Sequence, residues 1–103
     1  MQNGDFMGTN IRNEEMNSLF EAIMTLQNED ECYKFFMDVC TINELQAMSQ
    51  RYEVAKMLKD KKKYTEIAEV TGASTATISR VNRSLNFGND GYELVFGRLE
   101  DKK

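Results

Sequence analysis

Residues 64–83, YTEIAEVTGASTATISRVNR, set small, apolar and hydroxyl side chains in an order that few folds accept. Ile67 and Ala68 give a short helical stretch its apolar side, and Ala68 is small enough for a second helix to cross closely above it. Gly72 falls where a tight turn needs a residue that tolerates positive φ, and Ala73 suits the space beneath that turn. Ile78, Val81 and Leu85 recur at i, i+3 and i+7, so the second helix buries one stripe. Its opposite face carries Ser74, Thr75, Ser79 and Arg83, short donors and acceptors plus one long cation, suited to base edges and phosphates. The pattern is that of a helix-turn-helix, and double-stranded DNA is the leading candidate partner. An ordinary αα-hairpin in a bundle has similar spacing. Here, however, the small residues, the glycine and the apolar triplet fall in register beside a basic run.

A formal net charge of −4 runs against nucleic-acid binding until its distribution is considered. Residues 1–50 hold nine acidic and two basic side chains. Residues 51–83 hold eight basic ones (Arg51, Lys56, Lys59, Lys61, Lys62, Lys63, Arg80 and Arg83) against four acidic. Positive charge therefore collects around the hairpin, where phosphate neutralisation requires it. The lysines from 59 to 63 also suit the C-terminal end of a helix, and the two roles are compatible. The acidity of the rest predicts modest nonspecific binding that depends strongly on salt.

The chain of 103 residues is read as one domain with a single modest core. It has no proline, and its glycines are sparse outside ends and turns, which points to an all-α fold. No apolar run approaches the roughly 20 residues needed to span a bilayer, and no charged-then-apolar leader is present, so no membrane association and a cytoplasmic location are expected. Cys32 and Cys40 on one helix would stand about 12 Å apart, too far for a mutual disulfide. Two thiols without any histidine do not make a zinc site, and they are read as buried structural thiols. No metal, cofactor or catalytic residue is assigned: histidine is absent, no glycine-rich phosphate loop occurs, and the acidic residues sit where helix caps explain them. The chain is not read as an enzyme.

Residues 1–13 are polar with no sustained period and are expected to form a disordered arm. The ordered domain is expected over 14–101, with the helix-turn-helix at about 64–85. A first helix starts near Glu14 with Met16, Leu19, Phe20, Ile23 and Leu26 as its stripe. Asn28 followed by Glu31 caps a second, carrying Cys32, Phe35, Phe36, Val39 and Cys40. A second such box, Thr41 with Glu44, opens the longest helix through Leu45, Met48, Tyr52, Ala55 and Leu58. Val54 and Met57 lie off that stripe, so more than one side should be buried. Near residues 86–91 Gly88 suits a left-handed helix end, and Asp90 with Glu93 restarts a last helix bearing Tyr92, Val95, Phe96 and Leu99. Two aromatic-rich amphipathic helices ahead of a small hairpin expose more apolar surface than one chain of this size hides, and a homodimer is the natural remedy.

The segment GASTATISRVNRSL at 72–85 resembles the recognition segment of the Trp repressor family. The resemblance is closer still to its YerC/YecD-type relatives, through ECYKFF at 31–36, CTINE at 40–44, Gln50-Arg51 and NFGND at 86–90. It covers about residues 14–99. It implies a six-helix subunit in an intertwined homodimer and a bacterial DNA-binding transcriptional regulator, with repression the expected direction. Two recognition helices about one DNA turn apart would read a near-palindromic operator. Thr75, Ala76 and Ser79 match positions that face base edges in the repressor. With Ser74 and Arg83 they are assigned to bases or adjacent phosphates, while Lys62, Lys63, Tyr64, Thr65 and Arg80 are assigned to the DNA backbone. Thr41, Arg51, Thr77, Arg80 and Ser84 match the family's tryptophan-binding positions. Val81, however, replaces a glycine at the indole slot, and overpacking a close fit costs about 1–3 kcal/mol. A vestigial ligand site, no tryptophan corepressor and no assigned effector are therefore expected, with Arg51 and Arg80 serving in ion pairs or on phosphates. The competing reading is a helical protein–protein interaction module whose hairpin does not bind DNA.

Overall fold

The computed structural model describes residues 11–102, and within them it is all-helical: α1 Glu14–Ile23, α2 Glu29–Val39, α3 Ile42–Lys59, α4 Tyr64–Thr71, α5 Thr75–Phe87 and α6 Gly91–Asp101. The number of helices is the one the resemblance implies. The arm expected at 1–13 lies almost wholly outside the described residues. No described helix is long and apolar enough to cross a membrane. The chain divides into two compact units, one up to Thr41 and one from Ile42.

In the first unit both helices start on asparagine caps. Asn13 Oδ1 accepts from the Met16 amide at 2.7 Å, and Asn28 Oδ1 accepts from the Glu31 amide at 2.9 Å. Glu31 answers with its carboxylate, which accepts from the Gln27 amide at 2.8 Å, one residue earlier than in a standard capping box. Glu14, Glu15, Glu29 and Asp30 occupy the first turns, where the helix dipole favours negative charge. The rings of Phe35 and Phe36 meet edge to face, with centroids 5.5 Å apart. No residue of α1 or α2 is buried. The expectation of buried thiols therefore fails within the chain: Cys32 is exposed, Cys40 is half-buried, and both are free. The helical stripe was legible in the sequence, but nothing among the described residues buries it fully.

The second unit has a fully packed centre. Val54 and Ala55 of α3, Ile67 of α4, Ala73 of the turn, and Ile78 and Val81 of α5 are all buried. Met57, Leu58, Ala68, Tyr92 and Phe96 pack against them. The burial of Val54 beside Ala55 confirms that α3 is covered on more than one side. Met48, expected on its stripe, is exposed. The helix ends in a Schellman motif: the Lys62 amide reaches the Met57 carbonyl at 3.0 Å and the Lys61 amide reaches Leu58 at 3.0 Å. Lys61 holds the left-handed position at φ 65, where glycine is usual.

Two expectations near the last helix need correction. Gly88 is not left-handed, with φ −90 and ψ −140. Glycine is needed there because a Cβ would stand 2.3 Å from the Ser84 carbonyl oxygen. The left-handed residue is Asp90 at φ 64, and its side chain makes no cap hydrogen bond. Glu93, expected to complete that cap, instead takes Lys59 Nζ at 2.7 Å and ties α6 to α3.

Candidate nucleic-acid interface

The hairpin is built from its turn outward. Gly72 closes α4 at φ 75, with its amide on the Ala68 carbonyl at 2.9 Å, and Ala73 is buried beneath it. Ser74 then caps α5: its Oγ accepts from the Thr77 amide at 3.1 Å and donates to Thr77 Oγ1, also at 3.1 Å. The Ser74 hydroxyl assigned to DNA is thus already engaged in starting the helix. A capped N-terminus presents the next residues rigidly, which matters for reading a groove.

At about 100° per residue, Thr75, Ala76, Ser79, Arg80 and Arg83 fall within one half of α5. All five are exposed. Ile78 and Val81 fall in the other half and are buried, with Thr77, Asn82 and Leu85 half-buried beside them. Inner and outer halves therefore separate cleanly along the helix. Asn86 and Phe87 extend the outer half, and Phe87 is 84% exposed. From the sequence both read as the start of a helix-breaking cluster rather than as part of this face, yet α5 runs through them to Phe87 and the same periodicity places them there.

Cations gather at the start of α4. Lys63 is its N-cap residue and makes no side-chain cap bond, so the first-turn amides of Tyr64 and Thr65 have no such partner. Lys62, Lys63 and Thr65 are exposed, and Tyr64 is partly so. The side chains of Lys61, Lys62, Lys63, Arg80 and Arg83 make no ion pair among the described residues, whereas Lys56 and Lys59 pair with Glu53 and Glu93. Arg51 makes none either, so the ion-pair role expected for Arg51 and Arg80 is not met within them.

The residues matched to a ligand site lie on several parts of the chain. Thr77, Arg80, Val81 and Ser84 fall at i, i+3, i+4 and i+7 along α5, across the border between its exposed and buried halves. Half-buried Arg51 is on α3 of the same unit, and Thr41 belongs to the other. Val81 is 1% exposed, its side chain spent in the core. Sequence reasoning missed Gln50, whose amide reaches the hairpin from α3. It also missed the left-handed Lys61. Gln50 entered only with Arg51 in the family resemblance, and nothing local marks the structural role of either Gln50 or Lys61.

Known proteins agree with this architecture along nearly the whole chain. The family model for the Trp repressor protein matches residues 14–100. An uncharacterized protein, YerC, of Bacillus subtilis (strain 168) is 52% identical over 91 residues, covering 88% of each chain. The solved structure of a TrpR like protein from Eubacterium eligens ATCC 27750 is 59% identical, covers 90% of this chain and 96% of its own, and superposes with a TM-score of 0.87. A structure of a proposed Trp repressor from Staphylococcus aureus is 49% identical, covers 93% and 96%, and gives 0.89. On the sequence match and the shared helical architecture together, the chain belongs to the Trp repressor family.

Proposed function

We propose that the chain is a sequence-specific DNA-binding transcriptional regulator, a repressor, that acts as a homodimer without tryptophan as corepressor. The observation that carries this reading is the outer half of α5. Thr75, Ala76, Ser79, Arg80 and Arg83 are all exposed there, on a helix whose inner half is sealed into the core. Thr75, Ala76 and Ser79 contact base edges and Arg83 reaches bases or the adjoining phosphates. Lys62, Lys63, Tyr64, Thr65 and Arg80 hold the sugar–phosphate backbone, and Ser74 sets the helix start.

The homodimer is supported by the apolar side chains that the chain leaves uncovered. Phe20, Met24, Met37 and Val39 in the first unit, and Leu94, Val95 and Leu99 on α6, are all exposed. In each unit by itself these exposed apolar side chains are more than the unit covers, and a second copy of the chain would remove them from water. A two-fold axis then sets two copies of α5 about 34 Å apart and calls for a near-palindromic operator. The loss of tryptophan binding is supported by Val81, which brings side-chain carbons where the family's indole slot needs none.

Selection of bound sequences from a random duplex pool, with the dimer measured by sedimentation, tests the reading. Enrichment of an inverted repeat with half-sites one turn apart is expected. No enrichment, and no duplex binding at micromolar protein and low salt, would favour the protein–protein module. Calorimetric titration with tryptophan should show no heat of binding, and a micromolar constant would overturn that part.

A further inference from the structure

We propose that Gln50 is a positioning residue for the reading face: from α3 it sets the pitch of the α4–turn–α5 hairpin without touching nucleic acid. The proposal rests on the DNA-reading function proposed above. Gln50 Nε2 donates to the backbone carbonyl oxygen of Thr71 at 3.1 Å, across 21 residues of sequence. Thr71 is the last residue of α4 and the anchor of the turn. Its Oγ1 donates to the Ile67 carbonyl at 2.7 Å and accepts from the Ala73 amide at 3.1 Å. Those two bonds are internal to the hairpin. The Gln50 bond ties the hairpin to α3.

Its location makes it a control point. The backbone reverses at Gly72, at φ 75, and the nearest atom to a Cβ built there is Gln50 Nε2 itself, 4.0 Å away. The amide therefore stands over the pivot between the two helices. Elsewhere α3 meets the hairpin through Val54, Ala55, Ile67 and Ile78, whose burial resists separation but has no direction. A hydrogen bond is directional, so this one fixes rotation where the apolar contacts permit it. An open polar cavity of about 390 Å³, lined by Gln46, Ser49, Gln50, Glu53 and Thr71, lies alongside. The bond thus borders open space rather than the buried centre of the unit, so its exchange for a bond to water is compatible with a folded core.

The test compares the wild type with Gln50→Leu, which keeps the bulk and removes the donor, and Gln50→Asn, which keeps a donor one methylene short. Affinity is measured for the selected operator and for random duplex over a range of salt, beside amide exchange at Ala73 and Ile78. Both variants should lose about three- to tenfold on the operator, the range of one net hydrogen bond. Affinity for random duplex and its salt slope should stay unchanged, with faster exchange at Ala73 and retained protection at Ile78. Equal losses on both duplexes, or unchanged discrimination in both variants, would overturn the role of Gln50 alone. A folded wild type that binds no duplex would overturn the DNA reading and this proposal with it.

Discussion

Ser74 and Thr77 exchange two hydrogen bonds, amide to hydroxyl and hydroxyl to hydroxyl, each 3.1 Å long, and through them a single serine begins α5. Replacing it with alanine removes the cap and should lower stability by about 1 kcal/mol. Ser74→Asp should keep most of it, since a carboxylate accepts the same amide. Urea denaturation of the three proteins checks this, and equal midpoints for wild type and Ser74→Ala would refute it.

Gly88 and Gly91 stand three residues apart and should respond oppositely to alanine. At Gly88 a methyl group meets the Ser84 backbone carbonyl, which cannot rotate away, so Gly88→Ala should cost about 1–3 kcal/mol. At Gly91, the first residue of α6, nothing lies within 4 Å of a built Cβ. Gly91→Ala should be neutral or stabilise by up to about 1 kcal/mol, because alanine narrows the unfolded ensemble. Thermal melts should show a clear drop for Gly88→Ala and an unchanged or higher midpoint for Gly91→Ala.

Lys61 carries a cost that glycine would not. The left-handed conformation at φ 65 disfavours a side chain by about 1 kcal/mol, so Lys61→Gly should raise stability by a few tenths to about 1 kcal/mol. If the cation serves DNA binding, the same change should weaken all duplexes alike and reduce the salt slope by about one unit. A stabilised variant with an unaltered slope would assign Lys61 no part in binding.

The two groups of assigned residues should separate by the kind of loss they cause. Lys62→Ala with Lys63→Ala should weaken every sequence to the same degree and flatten the dependence on salt. Thr75→Val should instead redistribute preference among operators, by about 1–3 kcal/mol at the base it faces. Affinity and salt slope left untouched by the paired lysine change would mean that another face meets the DNA.

What the sequence made legible was local. Asn28 and Glu31 are three residues apart, and both place their caps at the start of α2. Gly72 takes its positive φ because nothing else in that turn tolerates it. The outer half of α5 follows from periodicity alone, and each residue assigned to it is exposed. What stayed hidden depends on distant partners. Gln50 looks like any polar residue of α3 until residue 71 is brought beside it. Glu93 reads as a cap until Lys59 offers a stronger partner. One left-handed site was misplaced at Gly88, because sequence preference favours glycine, whereas the fold put a lysine and an aspartate in the two left-handed sites besides Gly72.

The clean division of α5 has an evolutionary consequence. Ile78 and Val81 are buried in the core, while the residues proposed to read DNA are their exposed neighbours on the same helix. Exposed positions of this kind usually tolerate exchange within about 0.5 kcal/mol. Duplicated copies of such a gene could diverge in operator at Thr75, Ala76 and Ser79 while folding equally well. If the proposed function holds, a lineage could thus multiply its regulatory targets without first gaining spare stability.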